Sequence, residues 1–445
     1  MVKYFGTDGF RGYVGQQLTT QHAYRIGRYL GSITLKEDVI FVGQDTRVSS
    51  QALAFALFSG AMASGATVVD LGVITTPAIS YFLQKQKKGF GVMVSASHNP
   101  YYDNGIKLFN ADGEKLSSDI EEKIEKYIDS IEDTLPFATG KSIGKIDPLS
   151  STYTERYLQF LLGLYQPKGR SLNILIDTAN GSASAIAPML FSKLPFKVDF
   201  TNQQPNGYNI NDRCGATHIQ SLQTAIKKGN YDLGFAFDGD ADRMIAVTSD
   251  GQEVNGDALL FLNSRSMFKQ QPKLKKKIVI TQMSNFGLKK ALVQLGIEYV
   301  ETNVGDKYVQ AALKKEQLIL GGEQSGHVIF LNELNTGDGL ISAIKLLNIL
   351  QETKESLGQL VVSLKRYPQV LKNIVVENKS EVMNHPDLQL LIQDIQGRLG
   401  QDGRILVRAS GTESLIRVMV EALAPQQCES LVMEVIRFIE STFIN

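Results

Sequence analysis

Net charge, cysteine and long apolar runs are what this sequence has least of. The 445 residues carry 46 basic and 46 acidic side chains. With the two balanced, no general electrostatic pull draws the chain to nucleic acid or to an acidic membrane, and any phosphate recognition has to be local. The two cysteines, Cys214 and Cys428, lie far apart without metal-type spacing. That excludes a cysteine-built metal site and fits a reducing compartment. No run of about 18 apolar residues occurs, and Met1-Val2-Lys3-Tyr4-Phe5-Gly6 holds no apolar segment of signal-peptide length. A soluble cytoplasmic protein is expected.

What is present is a hydrophobic content of 43% in a chain long enough for several cores and more than one domain. One unit recurs along it: a short β-branched run, a polar or Gly-rich turn, then a helical stretch. Residues 39–42 end at Gly43-Gln44-Asp45, a helix follows over 51–64, and 67–71 reads as the next strand. Residues 173–176, a helix to about Leu194 and a strand over 197–200 repeat the pattern. So do residues 277–281 and a helix reaching Leu295. This is α/β grammar, and three similar layers suggest three related domains. The last eighty or so residues differ. Two β-rich runs, 405–407 and 415–420, surround a turn, and a helical tail starts near Gln426. A small α+β domain is expected there, its boundary near Arg366-Tyr367-Pro368, where a helix is interrupted.

Five polar islands interrupt these patterns. Ser97, in Ser95-Ala96-Ser97-His98-Asn99-Pro100, ends an apolar strand where a turn presents its hydroxyl to a cleft, although Ser-His-Asn-Pro is also ordinary turn chemistry. In Asp238-Gly239-Asp240-Ala241-Asp242-Arg243, three carboxylates at alternate positions share a face if the segment is extended. So close together, they call for protons or a hard divalent cation such as Mg2+. The EF-hand is excluded, because Arg243 and Ser249 stand where that loop needs Gly and Glu. Gly321-Gly322-Glu323-Gln324-Ser325-Gly326-His327 offers a carboxylate suited to sugar hydroxyls and an imidazole for proton exchange, or simply a glycine-rich hairpin. Arg408-Ala409-Ser410-Gly411-Thr412 with Arg417 has the parts of a phosphate cradle, or of a hairpin with surface arginines. The N-terminal run Phe5 to Gly12, with Arg11, reads as a ligand-ordered loop or a flexible terminus. Lys107 lies ten residues beyond Ser97, close enough to fold back beside it or to stand as a solvated strand lysine.

In this order and at these spacings, the islands together resemble the α-D-phosphohexomutase superfamily over nearly the whole chain. Pro205-Asn206-Gly207-Tyr208-Asn209-Ile210-Asn211, Cys214-Gly215-Ala216-Thr217-His218 and the Glu323 run are similar to its phosphoglucosamine mutase branch. The resemblance implies four domains around a central cleft, three similar α/β domains and a smaller C-terminal α+β phosphate-binding domain. The expected division is residues 1–150 with the N-terminal and phosphoserine loops, 151–252 with the metal loop, 253–367 with the sugar loop, and 368–445.

The resemblance also implies a reaction, the interconversion of glucosamine 6-phosphate and glucosamine 1-phosphate on the way to UDP-N-acetylglucosamine and cell wall. Ser97 carries the phosphoryl group, and glucosamine 1,6-bisphosphate is the intermediate. Mg2+ sits on Asp238, Asp240, Asp242 and the Ser97 phosphate. Arg243 assists, and Arg11 and His98 support the phosphoserine. Lys107 and His327 are the candidates for general acid and base. Glu323 and Ser325 hold sugar hydroxyls, while Arg408, Ser410, Gly411, Thr412 and Arg417 grip the phosphate that is not reacting. The partner implied is a small-molecule hexosamine phosphate, with no nucleic acid and no membrane, and a homodimer is the oligomeric expectation. Two alternatives are a sibling mutase for mannose or glucose phosphates and a non-catalytic sugar-phosphate binding protein. The phosphate loop departs from the family pattern, since Ala409 and Ser414 stand where prolines are common. Loss of two φ restraints loosens the empty loop.

Overall fold

The computed structural model describes residues 3–6, 8–147, 150–410 and 414–444. One compact unit comprises Met1–Met283 with Ile297–Val362, and a second comprises Ser284–Gly296 with Ser363–Asn445.

The first unit holds three mixed sheets, each with three parallel strands at one end. The first sheet contains β1 (Phe5–Gly6), β2 (Gly9–Tyr13), β3 (Val39–Gln44), β4 (Thr67–Val73), β5 (Phe90–Val94) and β6 (Asp103–Phe109) in the order β1-β2-β6-β5-β3-β4. Strands β4, β3 and β5 run parallel, joined by the helices Val48–Ala63 and Thr76–Gln86, and β6, β2 and β1 extend the sheet antiparallel. The N-terminal run is thus a hairpin at the sheet edge, with Phe5 opposite Phe10 and Arg11 opposite Gly105. It is neither a loose terminus nor a loop awaiting a ligand, because Phe5 and Phe10 are buried in the domain core. Thr7 lies outside the described residues.

The second sheet contains β7 (Asn173–Asp177), β8 (Lys197–Thr201), β9 (Leu233–Phe237), β10 (Met244–Thr248) and β11 (Glu253–Val254), ordered β11-β10-β9-β7-β8. The third contains β12 (Lys277–Thr281), β13 (Glu298–Thr302), β14 (Leu320–Gly322) and β15 (Val328–Phe330), ordered β13-β12-β14-β15. Every residue of β9 and β10 is buried. Such continuous apolar runs are what strands covered on both faces require.

In each sheet a polar island follows the carboxyl end of a parallel strand: Ser97 after β5, Asp238 after β9, Glu323 after β14. The crevice outside the carboxyl ends of parallel strands is where open α/β sheets receive ligands.

The second unit has a different logic. Strands β16 (Gln369–Val375), β17 (Arg404–Ala409) and β18 (Leu415–Glu421) form an antiparallel sheet ordered β16-β18-β17. Alternate residues Ile416, Val418 and Val420 enter a core shared with Val432, Val435 and Ile439 of the helix Pro425–Phe443. The helical tail and the two strands thus lie where the sequence pattern puts them. Among the described residues, no helix is long and apolar enough to cross a membrane.

Candidate active site

Ser97 is 1% exposed, and its backbone has φ +50°, the left-handed region that a residue with a Cβ rarely enters. Buried partners hold it there. The Arg47 guanidinium donates to the carbonyls of Ser97 (3.1 Å) and Asn99, and Asn211 Nδ2 donates to the same two carbonyls at 2.8 and 3.1 Å. The Ser97 N–H reaches Ser95 Oγ at 2.9 Å, and Ser95 Oγ donates to Asp45 at 2.6 Å. Asp45 also accepts from Ser50 Oγ at 2.7 Å and forms a fully buried ion pair with Arg47. The backbone at Ser97 is therefore over-determined, the condition under which such strain persists.

The acidic island is not extended. It forms the tight turn between antiparallel β9 and β10, with Ala241 at φ +58°, so the three carboxylates converge through the turn and not through strand alternation. Oxygens of Asp238, Asp240 and Asp242 lie within 4.8 Å of one another, all buried. At that separation and an effective dielectric constant of about 20, each charged pair repels by about 3.5 kcal/mol. Two cations offset part of this. Lys107 Nζ lies 2.8 Å from Asp240 and 3.5 Å from Asp242, and Arg243 Nε lies 3.8 Å from Asp242. Asp238 instead accepts hydrogen bonds from the Ser97 hydroxyl (2.6 Å) and the Arg243 N–H (3.1 Å).

The titration of these groups follows their surroundings. Burial, then the charges of Asp242 and Asp240, push Asp238 well above the usual carboxylate range. Burial would raise Asp240 too, but the charge and hydrogen bond of Lys107, with a 2.5 Å bond from Thr76 Oγ1, hold it below that range. Burial works against the Lys107 ammonium, yet Asp240, Asp8 and Asp242 outweigh it and keep the amine charged. Oδ1 atoms of Asp240 and Asp242 are buried without a hydrogen-bond partner among the described residues. Three hard oxygen donors, two with orphaned atoms, fit a divalent cation of the Mg2+ type.

Cations also approach the Ser97 loop. The Arg11 guanidinium pairs with Asp8 and donates to Asn99 Oδ1 at 3.3 Å. His98 Nδ1 lies 3.4 Å from the Ser97 hydroxyl, and burial, then Arg243 and Arg11, lower its pKa to about 4. His98 is therefore neutral at pH 7, in a pocket whose cations favour an anion on Ser97. The serine and metal loops touch at Gly239, where a Cβ would strike the Ser97 carbonyl oxygen.

The third island is the β14–β15 hairpin. Glu323 is buried and accepts from the Gly305 N–H at 2.9 Å, while Ser325 is exposed at the turn. His327 is 2% exposed, Nε2 lies 4.0 Å from Asp306, and neither ring nitrogen has a hydrogen-bond partner among the described residues.

In the second unit, Arg408 and Arg417 stand opposite each other in the β17–β18 ladder. Burial, then the Arg417 charge, lower the Arg408 pKa, so like charges are held together. The Ser410 N–H bonds to the Leu415 carbonyl at 2.9 Å and closes the loop neck, and Lys379 Nζ donates to the Ser410 carbonyl at 2.7 Å. Gly411 and Thr412 lie outside the described residues.

The structure thus brings Ser97, His98, Lys107, Arg11, Arg243 and the three aspartates into one cluster. Sequence reasoning missed Asp45, Arg47, Thr76, Asn211 and Lys379. A partial signal existed for two of them, since Asp45 and Thr76 follow the carboxyl ends of β3 and β4 as Ser97 follows β5.

Comparison with known proteins agrees along the chain. Family models described as phosphoglucomutase/phosphomannomutase match in series: α/β/α domain I at residues 2–135, domain II at 152–251, domain III at 255–367 and the C-terminal domain at 371–438. The phosphoglucosamine mutase of Lachnospira eligens is 44% identical, covering 99% of this chain and 99% of that protein. That of Bacillus subtilis is 42% identical over 99% of both. Among solved structures, a phosphoglucomutase/phosphomannomutase family protein from Burkholderia thailandensis superposes with a TM-score of 0.78 at 25% identity, covering 99% of this chain and 98% of the other. An Aspergillus fumigatus N-acetylphosphoglucosamine mutase, solved with GlcNAc-6P and magnesium, shares the fold with a TM-score of 0.72 at 20% identity, covering 99% and 96%. With relatives this similar over the full length and all four domain models in order, the chain belongs to the α-D-phosphohexomutase superfamily, in its phosphoglucosamine mutase branch.

Proposed function

We propose that the protein interconverts glucosamine 6-phosphate and glucosamine 1-phosphate through a phosphoserine at Ser97 and a glucosamine 1,6-bisphosphate intermediate. The observation that carries this reading is the Ser97 hydroxyl, 2.6 Å from Asp238 in a buried acidic triad and ringed by Arg11, Lys107 and Arg243. Phosphoryl transfer asks the protein mainly for positioning and charge neutralisation. Asp238, Asp240 and Asp242, with a phosphate oxygen on Ser97, would hold Mg2+, which would offset charge on the moving group.

In the first half-reaction the bond from phosphorus to Ser97 Oγ breaks as the free sugar hydroxyl bonds to phosphorus, and the hydroxyl proton passes to a base. His327, neither of whose ring nitrogens is hydrogen-bonded among the described residues, suits that role, while Lys107 and Arg243 stay cationic and stabilise the transferring group. The bisphosphate then turns, and Ser97 Oγ takes the other phosphoryl group as the proton returns to the departing sugar oxygen. Glu323 and Ser325 orient the sugar hydroxyls, and Arg408, Ser410, Gly411, Thr412 and Arg417 bind the idle phosphate. The same reading carries the four-part division at residues 150, 252 and 367, a cytoplasmic location and a role in supplying UDP-N-acetylglucosamine for cell wall.

A coupled assay with Mg2+ and catalytic bisphosphate, comparing the glucosamine phosphates with mannose 1- and glucose 1-phosphate, tests it. Preference for the glucosamine pair, lost on chelation and restored by Mg2+, is expected. Preference for mannose or glucose phosphates overturns the substrate. No turnover at all with Ser97 phosphorylated overturns the enzyme reading in favour of a binding protein.

A further inference from the structure

Lys115 joins the two halves of the site in the first unit. A locked turn presents it: Asn110 Oδ1 accepts from the Asp112 and Glu114 N–H groups at 2.9 and 3.0 Å, and Lys115 pairs back to Phe109. Its Nζ lies 2.8 Å from Asp8 and 2.7 Å from Asp306, the first residue of the helix Asp306–Glu316. Asp8 continues to Lys107 at 3.2 Å and Lys107 to Asp240 at 2.8 Å, while Asp306 faces His327 Nε2 at 4.0 Å. An alternating row of charges therefore runs from the acidic triad to the sugar-loop imidazole, and Lys115 is the member that joins Asp8 to Asp306.

We infer that Lys115 is a positioning residue for proton transfer: by holding Asp306 against Asp8 it prevents that carboxylate from locking His327 into a fixed ion pair. The inference rests on the reading of His327 as the group that moves the proton. Asp306 is the titratable group that faces the ring from the helix Asp306–Glu316. On the paired strand, Glu323 meets His327 through the backbone at 2.9 Å and turns its carboxylate to the Gly305 N–H. From the segment before the helix Gly339–Thr353, uncharged Gly337 covers the ring, and the Asp338 carboxylate is occupied by Tyr157 and helix N–H groups. Burial would raise the Asp306 pKa, but the charge and hydrogen bond of Lys115, together with His327, outweigh it and keep Asp306 a carboxylate whose charge is already engaged. Remove that ammonium, and the nearest group able to supply a compensating positive charge to Asp306 is His327. Asp8 would still have Lys107 and Arg11, so the effect falls on the sugar-loop end of the row.

The test is an NMR titration of the His327 ring protons, resolved among five histidines and assigned with His327→Asn. In Lys115→Met the His327 midpoint should rise by about one pH unit or more, because an opposite charge within about 4–6 Å favours the charged form. Adding Asp306→Asn should return it toward wild type, and Lys115→Arg should leave it near wild type. A Lys115→Met midpoint equal to wild type overturns the inference, as does a raised midpoint that Asp306→Asn fails to reverse. Lys115→Gln removes the same charge and serves if the methionine variant does not fold. In turnover, Lys115→Met should lower kcat with little change in KM and shift the pH profile in the same direction. The titration reads Lys115 directly, so a protein that turned over no hexosamine phosphate would count against the proposed activity and not against this contact.

Discussion

Two regions of this molecule treat charge in opposite ways. Around Ser97 and the aspartate turn of the first unit, buried and half-buried cations face carboxylates: Lys107 lies against Asp240, Asp242 and Asp8, Arg47 against Asp45, and half-buried Arg11 against Asp8. In the β17–β18 ladder of the second unit, Arg408 stands across a strand pair from Arg417, cation beside cation. The first arrangement is folded into its working geometry by its own salt links, which hold reacting groups in place before any ligand arrives. The second sets like charges side by side, and under the proposed function a phosphate bound there would relieve their repulsion.

The largest effect should come from breaking the pre-assembled side at its nucleophile. Ser97→Ala is expected to lower turnover by about 10³-fold or more while sugar phosphate binding, measured by calorimetry, persists. Wild-type turnover in that variant would remove Ser97 from the chemistry. Arg408→Met probes the other side. It should raise KM for hexosamine phosphate by roughly 10- to 100-fold at nearly constant kcat, the mark of binding shared by ground and transition states. The empty protein should also melt at the same or a slightly higher temperature, and a lowered Tm would contradict stored repulsion.

A pH experiment sharpens the contrast. Burial would raise the Asp8 pKa, but Lys107, Lys115 and Arg11 hold it well below the usual value. Its native pKa is thus depressed relative to the unfolded chain. The stability it contributes is present above the ordinary carboxylate pKa of about 3.9 and is lost as pH falls through the native value. The stability gap between wild type and Asp8→Asn should therefore be widest near neutrality and close in acid, as denaturant titrations at several pH values would show. A gap independent of pH would mean that packing, not charge, is what Asp8 supplies. The smallest effect concerns the loop neck. Because the Ser410–Leu415 hydrogen bond already closes it, Ala409→Pro with Ser414→Pro should change turnover less than tenfold. A larger gain would mean that the neck does not hold the loop by itself.

The sequence made the repeating α/β units, the antiparallel C-terminal domain and the five islands legible, since hydrophobic periodicity and turn chemistry are local signals. It misdescribed the N-terminal run, whose two buried phenylalanines make it part of a sheet, and the acidic island, whose turn does what an extended strand was expected to do. What it concealed were polar residues that hold others in place. Arg47 reaches Ser97 across 50 residues, Asn211 across 114, and Thr76 reaches Asp240 across 164. A buried hydrogen bond leaves no periodicity behind, so such partners appear only when the fold brings them together.

The left-handed backbone at residue 97 also dictates which amino acid can do the chemistry there. Glycine would adopt φ +50° without penalty but has no oxygen to phosphorylate. Threonine has the oxygen, yet its second Cβ substituent makes that backbone region prohibitive. The torsion angle, held by Arg47 and Asn211, thus favours serine over glycine and threonine for the phosphoryl carrier that the proposed function requires, so that geometry selects before reactivity is consulted.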